Sequence, residues 1–498
     1  MRAPIRVAIR VDASPAIGTG HVRRMLALAG ALREAGGTVQ FVVRDLGLDL
    51  GTALDDYPVT LLPAPDGTPV ATDIPHGTWA GVDEATDAAQ TVAVLESVPG
   101  WVIVDSYAFG ARWHTAVRLA TGARIAAIDD LADRALAADL IVDHNHAVQP
   151  SEKYRAVAPE TPALIGARHA LLGPVYADAP RHAVRDRVES IGIFMGGVDA
   201  IGATGIVLDA LDGFDGVVEV ATTSANPHLA ALRARGATLL VDQPDLASFF
   251  ARHDLQIGAG GGASWERCCV GAPTLLLAVA DNQRATVPVL AQIGAVATCA
   301  FDVDAIRRTV ADLVADPARR RTMADHARTL VDGQGARRVA LWMLRDSLSV
   351  RAATIEDAPL MFAWRNHPAT RGVSRDPAPI AWADHVAWVG RAIADPERTL
   401  LIAHVGDTPV GVVRFDRRDA ASAEVSLYLD PALHGLGLGQ RMLLAGESRL
   451  SPLDIHAEVM DGNAGSHGMF ARAGYAPNGP NHWIKPAAAA GIEGKTAS

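Results

Sequence analysis

Two stretches of this chain open in the same way, and that repetition limits its fold more than any other feature. Residues 5–11 (IRVAIRV) form a β-branched run that ends in a glycine loop, Ile17-Gly18-Thr19-Gly20, and a helical pattern follows from about His21 to Ala35. Residues 190–197 (SIGIFMGG) again give a strand and a glycine turn, Gly196-Gly197, ahead of a helix. A strand that enters a helix through a tight glycine turn is the unit of a parallel sheet, because parallel neighbours need a crossover between them. The first helix carries Met25, Leu26, Leu28, Ala29 and Leu32 on one side, and Gly36-Gly37 stops it. Short apolar strands follow in each half: TVQFVVR, WVIVD (101–105), ARIAAID (123–129) and DLIVD (139–143), then VVEVATT, ATLLVD, DLQIGAGGG and PTLLLAV. The expected class is α/β, with two Rossmann-like domains over 1–182 and 183–346 facing a cleft. The Pro- and Arg-rich stretch 174–187 links them, and the helical, Arg-rich segment 303–346 closes the pair.

The rhythm changes near Val350. Polar helices over 355–366 and 381–394 precede the alternating strands TLLIAHV, PVGVVRFD and AEVSLYLD, which is an α+β layout over 349–486. Three domains suit a chain of 498 residues at roughly 100–200 residues each. The tail 487–498 is low in complexity and expected to be disordered.

Charge and rare residues exclude several functions. A net charge of -11 argues against a general nucleic-acid or anionic-membrane binder, although a local arginine patch could hold a phosphorylated ligand. Lys153, Lys485 and Lys495 are the lysines among 45 basic residues, so Schiff-base or pyridoxal chemistry is not expected. Cys268, Cys269 and Cys299 are too few for a disulfide framework or a structural zinc site and read as core residues. Asp143, His144 and His146 (DHNH) could ligate a metal, but a loop with satisfied polar side chains fits them better, and no metal is expected. Arg2, Arg6 and Arg10 interrupt any signal-like apolar region, and no run of 18 apolar residues exists. A soluble cytoplasmic protein is expected.

The loop IGTGH puts His21 at the start of a helix on the C-terminal edge of a parallel sheet, where open α/β sheets bind ligands. A helix N-terminus disfavours a positive ring, so His21 is expected to be able to take a proton. The local pattern alone also fits a capping or buried histidine beside a structural turn. In GAGGGASWERCCVGAP (258–273), small residues from Gly258 to Ser264 let backbone amides approach a phosphate or diphosphate at a helix N-terminus. Glu266, one turn into that helix, could accept both hydroxyls of a ribose; the alternative is a structural loop with Glu266 in solvent. Asp281-Asn282-Gln283 follows another strand end. GxGxxG does not follow the first strand directly and the P-loop lysine is absent, which disfavours NAD and ATP.

The series RVDASPAIGTGHVRR, FMGGVD, VATTSANPHL, GAGGGASWERCCVGAP and DNQ resembles the UDP-2,4-diacetamido-2,4,6-trideoxy-β-L-altropyranose hydrolases of pseudaminic acid biosynthesis. The resemblance covers about residues 5–346. It implies a GT-B-like arrangement of the two domains, inversion without a metal, and His21 as the catalytic residue. It also implies a UDP-sugar site that includes Gly18, Gly20, Gly196, Gly197, Asn226, Gly260, Gly261, Ser264, Glu266, Asn282 and Gln283. Tyr107, in VDSYAFG, falls where that family has a tyrosine near the sugar; Asp105 of the same motif and Tyr107 are the next candidates for a base. His169 and Gly173 (HALLGP) and Gly202 depart from the family pattern at positions that bear on how acetamido groups are held.

A second glycine loop lies in AEVSLYLDPALHGLGLGQRMLL (423–444), where a strand runs into glycines and then an apolar helix. A pyrophosphate would sit on the amides from Leu436 to Gln440. The segment resembles the acetyl-CoA motif of the GNAT superfamily, with His434, Gly437 and Gly439 at its positions, and EVMDGNAGSHGMFARAGY (458–475) resembles the next GNAT segment. The resemblance implies acetyl-CoA as co-substrate, held by Leu427, Leu429, Gly435, Leu436, Leu438, Gln440, Asn463, Ser466 and Phe470 with those three. Phe470 stands where many relatives have the tyrosine that reprotonates the coenzyme thiolate. Trp364-Arg365-Asn366 resembles a segment of the amino-sugar N-acetyltransferase of the same pathway, which implies an acceptor site there with Glu424 as a base through water. Together the resemblances imply a bifunctional enzyme of flagellin glycosylation that acetylates a UDP-amino sugar and then hydrolyses it.

Overall fold

A computed structural model describes residues 4–14, 17–48, 50–67, 70–145 and 150–487. His146 and the tail from residue 488 on lie outside the described residues. The chain forms two compact units, one holding Gly37–Ala340 with the chain up to Arg33, and one holding Glu34–Gly36 with the chain from Leu341 on. The boundary falls inside the helix Gly335–Leu344 rather than after residue 346.

The first unit contains two parallel sheets. One comprises β1 (Arg6–Val11), β2 (Thr38–Arg44), β3 (Val59–Leu62), β4 (Trp101–Asp105), β5 (Arg124–Ile128), β6 (Leu140–Asp143) and β7 (Ala163–Ile165), in the order β3-β2-β1-β4-β5-β6-β7. The other comprises β8 (Ser190–Phe194), β9 (Val217–Thr222), β10 (Thr238–Val241), β11 (Leu255–Ala259), β12 (Thr274–Leu277) and β13 (Ala297–Thr298), in the order β10-β9-β8-β11-β12-β13. Every pairing in both is parallel. Their central strands are apolar on both faces because helices cover both; all of β4 and all of β11 are buried. The strand order reverses between β1 and β4 in the first sheet and between β8 and β11 in the second. A doubly wound sheet opens a crevice at that reversal, beyond the carboxyl ends of the strands.

Arg10 sits fully buried inside β1, which only a paired charge allows. Its guanidinium meets Asp87 at 2.7 Å and also pairs with Asp12, while Arg44 of β2 and the indole of Trp113 bond the same Asp87 carboxylate. This network ties β1, β2 and the helix Glu84–Ala93 together beneath the crevice.

The second unit has one sheet: β14 (Ser349–Ala352), β15 (Arg398–Val405), β16 (Thr408–Arg417), β17 (Ser422–Leu429), β18 (Asp454–Glu458), β19 (Ala476–Pro477) and β20 (His482–Lys485), in the order β14-β15-β16-β17-β18-β20-β19. All pairings are antiparallel except β17 with β18. That parallel pairing stops at Val425 and Ala457, although β17 runs on to Leu429 against β16. The two central strands therefore part, and the helix Leu438–Glu447 leaves the glycine loop that follows β17.

Candidate active sites

The first sheet's reversal gathers titratable side chains from three strand ends. His21 opens the helix Gly20–Glu34 after β1, and its Nδ1 lies 2.6 Å from Oδ1 of Asp105, the last residue of β4. Arg24, one turn further along the helix, places Nε 2.6 Å from the other Asp105 oxygen, and its Nη2 reaches Oδ1 as well. Asp105 is fully buried. Burial alone would disfavour its charge, but the Arg24 guanidinium and His21 outweigh this and hold the carboxyl well below the usual carboxylate range. Arg24 Nη2, which can only donate, also lies 3.0 Å from Nδ1 of His21. The ionised Asp105 at 2.6 Å can only accept, and this shorter contact sets the ring proton on Nδ1 and leaves Nε2 bare. That leaves His21 able to take a proton from a water at Nε2. Asp105, expected only as a substitute base, has both oxygens committed and orients His21 instead.

Tyr107 packs edge-on against the His21 ring with 5.1 Å between centroids. Its hydroxyl donates to Asp130 Oδ1 at 2.5 Å, and burial together with Asp130 raises its pKa well above the ordinary value, so it stays protonated and is no base. Asp130 also accepts from Asn145 Nδ2 at 2.9 Å. His144 is buried beside this group, its Nε2 3.9 Å from Asp130, its ring 6.4 Å from that of Trp265 in the second half. Asp143 accepts from Lys153 at 2.6 Å and from the Asn145 amide, so the DHNH segment divides its roles. Among the described residues no three His, Cys, Asp or Glu side chains are grouped to hold a metal ion.

The second sheet's reversal carries the glycines. Gly196 (φ +102°) follows β8, while Gly261 and Gly262 follow β11 and precede the helix Ala263–Val270; a side chain at any of the three would meet open space. The other small residues have packing reasons. A Cβ at Gly258 would strike the buried Arg267 guanidinium, at Gly260 it would strike Val287, and Gly197 abuts Thr223. The Gly260 amide is already used, donating to Leu277 O and to Gln283 Oε1, which also accepts from Val279. Gln283 thus fastens the loop, and because Ser264 N and Trp265 N donate to Gly261 O and Gly262 O, the reach of free amides narrows to Gly261, Gly262 and Ala263. Ser264 is buried beneath the loop. Asn226 is also an internal brace: its Nδ2 donates to Thr222 and its Oδ1 accepts from His228 N. Nothing is described of the Asn282 side chain.

Glu266 is not the solvated helix residue of the alternative reading. It is half-buried, accepts from the Tyr176 hydroxyl, and feels Arg23 of the His21 helix; burial raises its pKa against these two partners. His169 is buried against Ile165 O, and Gly202 takes φ +68° at the start of the helix Ala203–Ala210, whose first amides Asp199 caps.

In the second unit, Gly435 and Gly437 both take the left-handed backbone, at φ +86° and +73°, and a side chain at Gly437 would meet open space. His434 is exposed before them, and Leu436 and Leu438 bury their side chains, which leaves the backbone between them facing outward. Gly439 has a different reason: a Cβ there would meet Met469 Sδ at 2.9 Å, so it lets two helices approach. Gln440 donates to Arg472 O, and Asn463 caps the helix Ala464–Arg472 at Ser466 N. Leu427, Tyr428 and Leu429 are half-buried where β17 parts from β18. Phe470 is core, packed on Tyr475 at 5.0 Å, with no hydroxyl to offer. Trp364 is buried, and Asn366 braces the chain by bonding both N and O of Ile380. Arg365 donates to Asp376 O but leaves Nη1 buried without a partner. Glu424 pairs with Arg418 at 2.6 Å and Arg375 at 3.7 Å.

Sequence reasoning passed over Arg24, Asp130 and Tyr176. Arg24 had a local signal, three residues after His21 and so on the same helix face. The others come from separate elements that only the folded topology joins.

Residues 360–475 match the Acetyltransferase (GNAT) family. No curated protein matches the chain. Among solved structures the chain is similar to the glycotransferase of kitacinnamycin, at 16% identity over 69% of this chain and 99% of that one, with a TM-score of 0.51. It is also similar to MurG of Acinetobacter baumannii (17% identity, 68% and 98% covered, TM-score 0.47). A third similarity is to the aminoglycoside acetyltransferase AAC(6')-Ib in complex with coenzyme A (17%, 28% and 95%, TM-score 0.26). The first of these shows a shared fold, so the paired parallel sheets are GT-B-like, and the C-terminal unit carries a GNAT acetyltransferase domain. No helix among the described residues is long and apolar enough to cross a membrane.

Proposed function

We propose that this chain, a GT-B-like unit joined to a GNAT acetyltransferase domain, is a bifunctional nucleotide-sugar enzyme of pseudaminic acid biosynthesis. The GNAT domain acetylates the 4-amine of UDP-4-amino-4,6-dideoxy-N-acetyl-β-L-altrosamine. The GT-B-like unit hydrolyses the product, UDP-2,4-diacetamido-2,4,6-trideoxy-β-L-altropyranose, to UDP and free sugar.

The observation that carries the hydrolytic half is the His21–Asp105–Arg24 group. Its bare Nε2 stands ready for a water proton while the ionised Asp105 stabilises the imidazolium that forms. Water oxygen bonds to the anomeric carbon, its proton passes to Nε2, and the bond from that carbon to the phosphate oxygen breaks with its electrons leaving on UDP. The amides of Gly261, Gly262 and Ala263 and the helix behind them suit the diphosphate, and Glu266, its charge resisted by burial and supported by Arg23 and Tyr176, suits the ribose hydroxyls. For the other half, the open backbone around Gly437 and the parting of β17 from β18 fit acetyl-CoA. Bound there, acetyl-CoA supplies the acetyl group. Glu424, held by two arginines, and the half-buried Arg365 line the proposed acceptor side.

One observation favours a second reading: Phe470 cannot reprotonate a thiolate, which suits a GT-B glycosyltransferase carrying an idle GNAT-like binding module. A mass-spectrometric assay of the whole protein separates the two. Acetyl-CoA plus the amino-sugar nucleotide should give the acetylated nucleotide, then UDP and free diacetamido sugar with no acceptor present. UDP release only when an acceptor is added, with acetyl-CoA unconsumed, would establish the transferase instead.

A further inference from the structure

His144 is the buried titratable group that this mechanism leaves without work. It follows β6, is 7% exposed, and lies between the His21 group and the helix behind the glycine loop, which it touches through Trp265. The sugar of a UDP-sugar must lie between a base and a diphosphate cradle, so this inference rests on that reading of the site. Nε2 of His144 faces Asp130 Oδ2 at 3.9 Å. That is too long for a hydrogen bond, but a carboxylate on that side favours the ring proton at Nε2 and so leaves Nδ1 as the acceptor. Nδ1 is buried and has no partner among the described residues. A buried acceptor without a donor is costly, and native structures rarely keep one that nothing fills. The nearby carboxylates, Asp130 with Tyr107 and Asn145 and Asp105 with His21 and Arg24, are acceptors themselves and have no proton to give it.

We infer that His144 reads the sugar: its Nδ1 accepts a hydrogen bond from a hydroxyl or amide N–H of the glycosyl group. It is a specificity-determining residue that favours sugars carrying a donor at that place. Burial first, and then the Arg24 charge, push its pKa down to about 4, so it remains an acceptor throughout the neutral range.

Calorimetric titration of the whole protein with UDP and with UDP-N-acetylglucosamine tests this. His144→Phe keeps a ring against Trp265 without an acceptor; His144→Asn keeps an acceptor near Nδ1; His144→Gln moves it toward Nε2. The Phe and Gln variants should lose about 5–30-fold in affinity for UDP-N-acetylglucosamine, the loss of one hydrogen bond, and should bind UDP unchanged. The Asn variant should stay within about twofold of wild type for both, since it retains that bond. Wild-type sugar-nucleotide affinity in the Phe or Gln variant, or an equal loss for UDP and UDP-N-acetylglucosamine, overturns the inference and leaves the UDP site standing. A wild-type protein that binds neither nucleotide overturns the UDP-sugar reading, and this inference with it.

Discussion

Asp105→Asn asks whether the first site works as a base held in one tautomer. The carboxylate is wholly buried and receives His21 Nδ1 and Arg24 Nε, each at 2.6 Å. An asparagine has one acceptor oxygen in place of two. Arg24 brings two donors and competes for that oxygen, so the NH2 group turns toward His21. An NH2 group cannot accept from Nδ1–H; the ring must move its proton to Nε2, and the atom needed to receive a water proton becomes a donor. The loss expected is that of general-base catalysis, about 10²–10⁴-fold in kcat for UDP release. Folding should suffer less. A deleted partner would leave Arg24 alone at about 3–5 kcal/mol, but the amide still accepts, which limits the cost to about 1–3 kcal/mol. UDP affinity should not change, because Asp105 lies at the other sheet's reversal, away from the glycine loop. Acetyl transfer should continue, so the variant should accumulate the acetylated sugar nucleotide. Initial rates of UDP release, calorimetric UDP binding and thermal unfolding measure the three quantities. Combining the change with His21→Asn should slow hydrolysis no further than the slower single variant, since the two groups act as one unit. A variant that folds, binds UDP and hydrolyses at the wild-type rate would refute the tautomer argument and send the search for a base elsewhere.

Particular contacts set the remaining expectations. Glu266→Ala should weaken UDP binding by about 1–3 kcal/mol, read by calorimetry; unchanged affinity would leave Glu266 as no more than a partner for Tyr176. Gly437→Val should abolish acetyl-CoA binding, because its φ of +73° disfavours a β-branched residue and the side chain would fill the open space over the loop; coenzyme affinity at the wild-type level would take the loop out of the site. Gly439 is unsuited to that test, since a side chain there would collide with Met469 and disturb packing. Acid should destabilise the first unit early. Burial pushes His114 down to about 3 and both His144 and His169 to about 4, so between roughly pH 6.5 and 4 the unfolded chain binds these protons and the folded unit does not. Asp143, pushed up to about 6 by burial, works the other way for one proton. These four groups balance to about two protons, or roughly 2–3 kcal/mol lost per pH unit across that window. His182 and His253, also pushed down by burial, add to the loss and Glu266, pushed up, opposes it; denaturant unfolding at about pH 7, 5.5 and 4.5 measures the net loss. A flat profile there would contradict it.

The fold was legible where burial made the pattern unambiguous. TVQFVVR and WVIVD coincide with β2 and β4 to the residue, because their buried positions are apolar save the charge-paired Arg44 and the strand-end Asp105. β3 and β7 escaped: they are edge strands of four and three residues, partly exposed, with no such run to betray them. Glycines were readable as glycines but not as reasons. Gly258, Gly260 and Gly439 look like ligand-facing residues in the sequence, and each makes room for a neighbouring side chain in the fold. The site was legible only in its local part. His21 announces itself beside a glycine turn and Asp105 through its motif with Tyr107, but Asp105, Asp130 and His144 stand at the ends of other strands, and only the sheet order brings them to His21.

That sheet order also accounts for the repeat with which the sequence opens. Each half places a strand and a glycine turn, β1 with Gly18 and β8 with Gly196, directly beside the strand where its sheet reverses. The two reversals are alike in backbone and opposite in loading. The first collects His21, Arg24, Asp105 and Asp130, groups that hold or move protons; the second collects open glycine backbone and a helix start, groups that hold an anion without titrating. A reaction that expels a nucleotide diphosphate needs both kinds, and needs them apart: a base set among cradle amides would meet the leaving group rather than the attacking water. Two contacts join the halves beside these groups, His144 with Trp265 and Arg23 acting on Glu266.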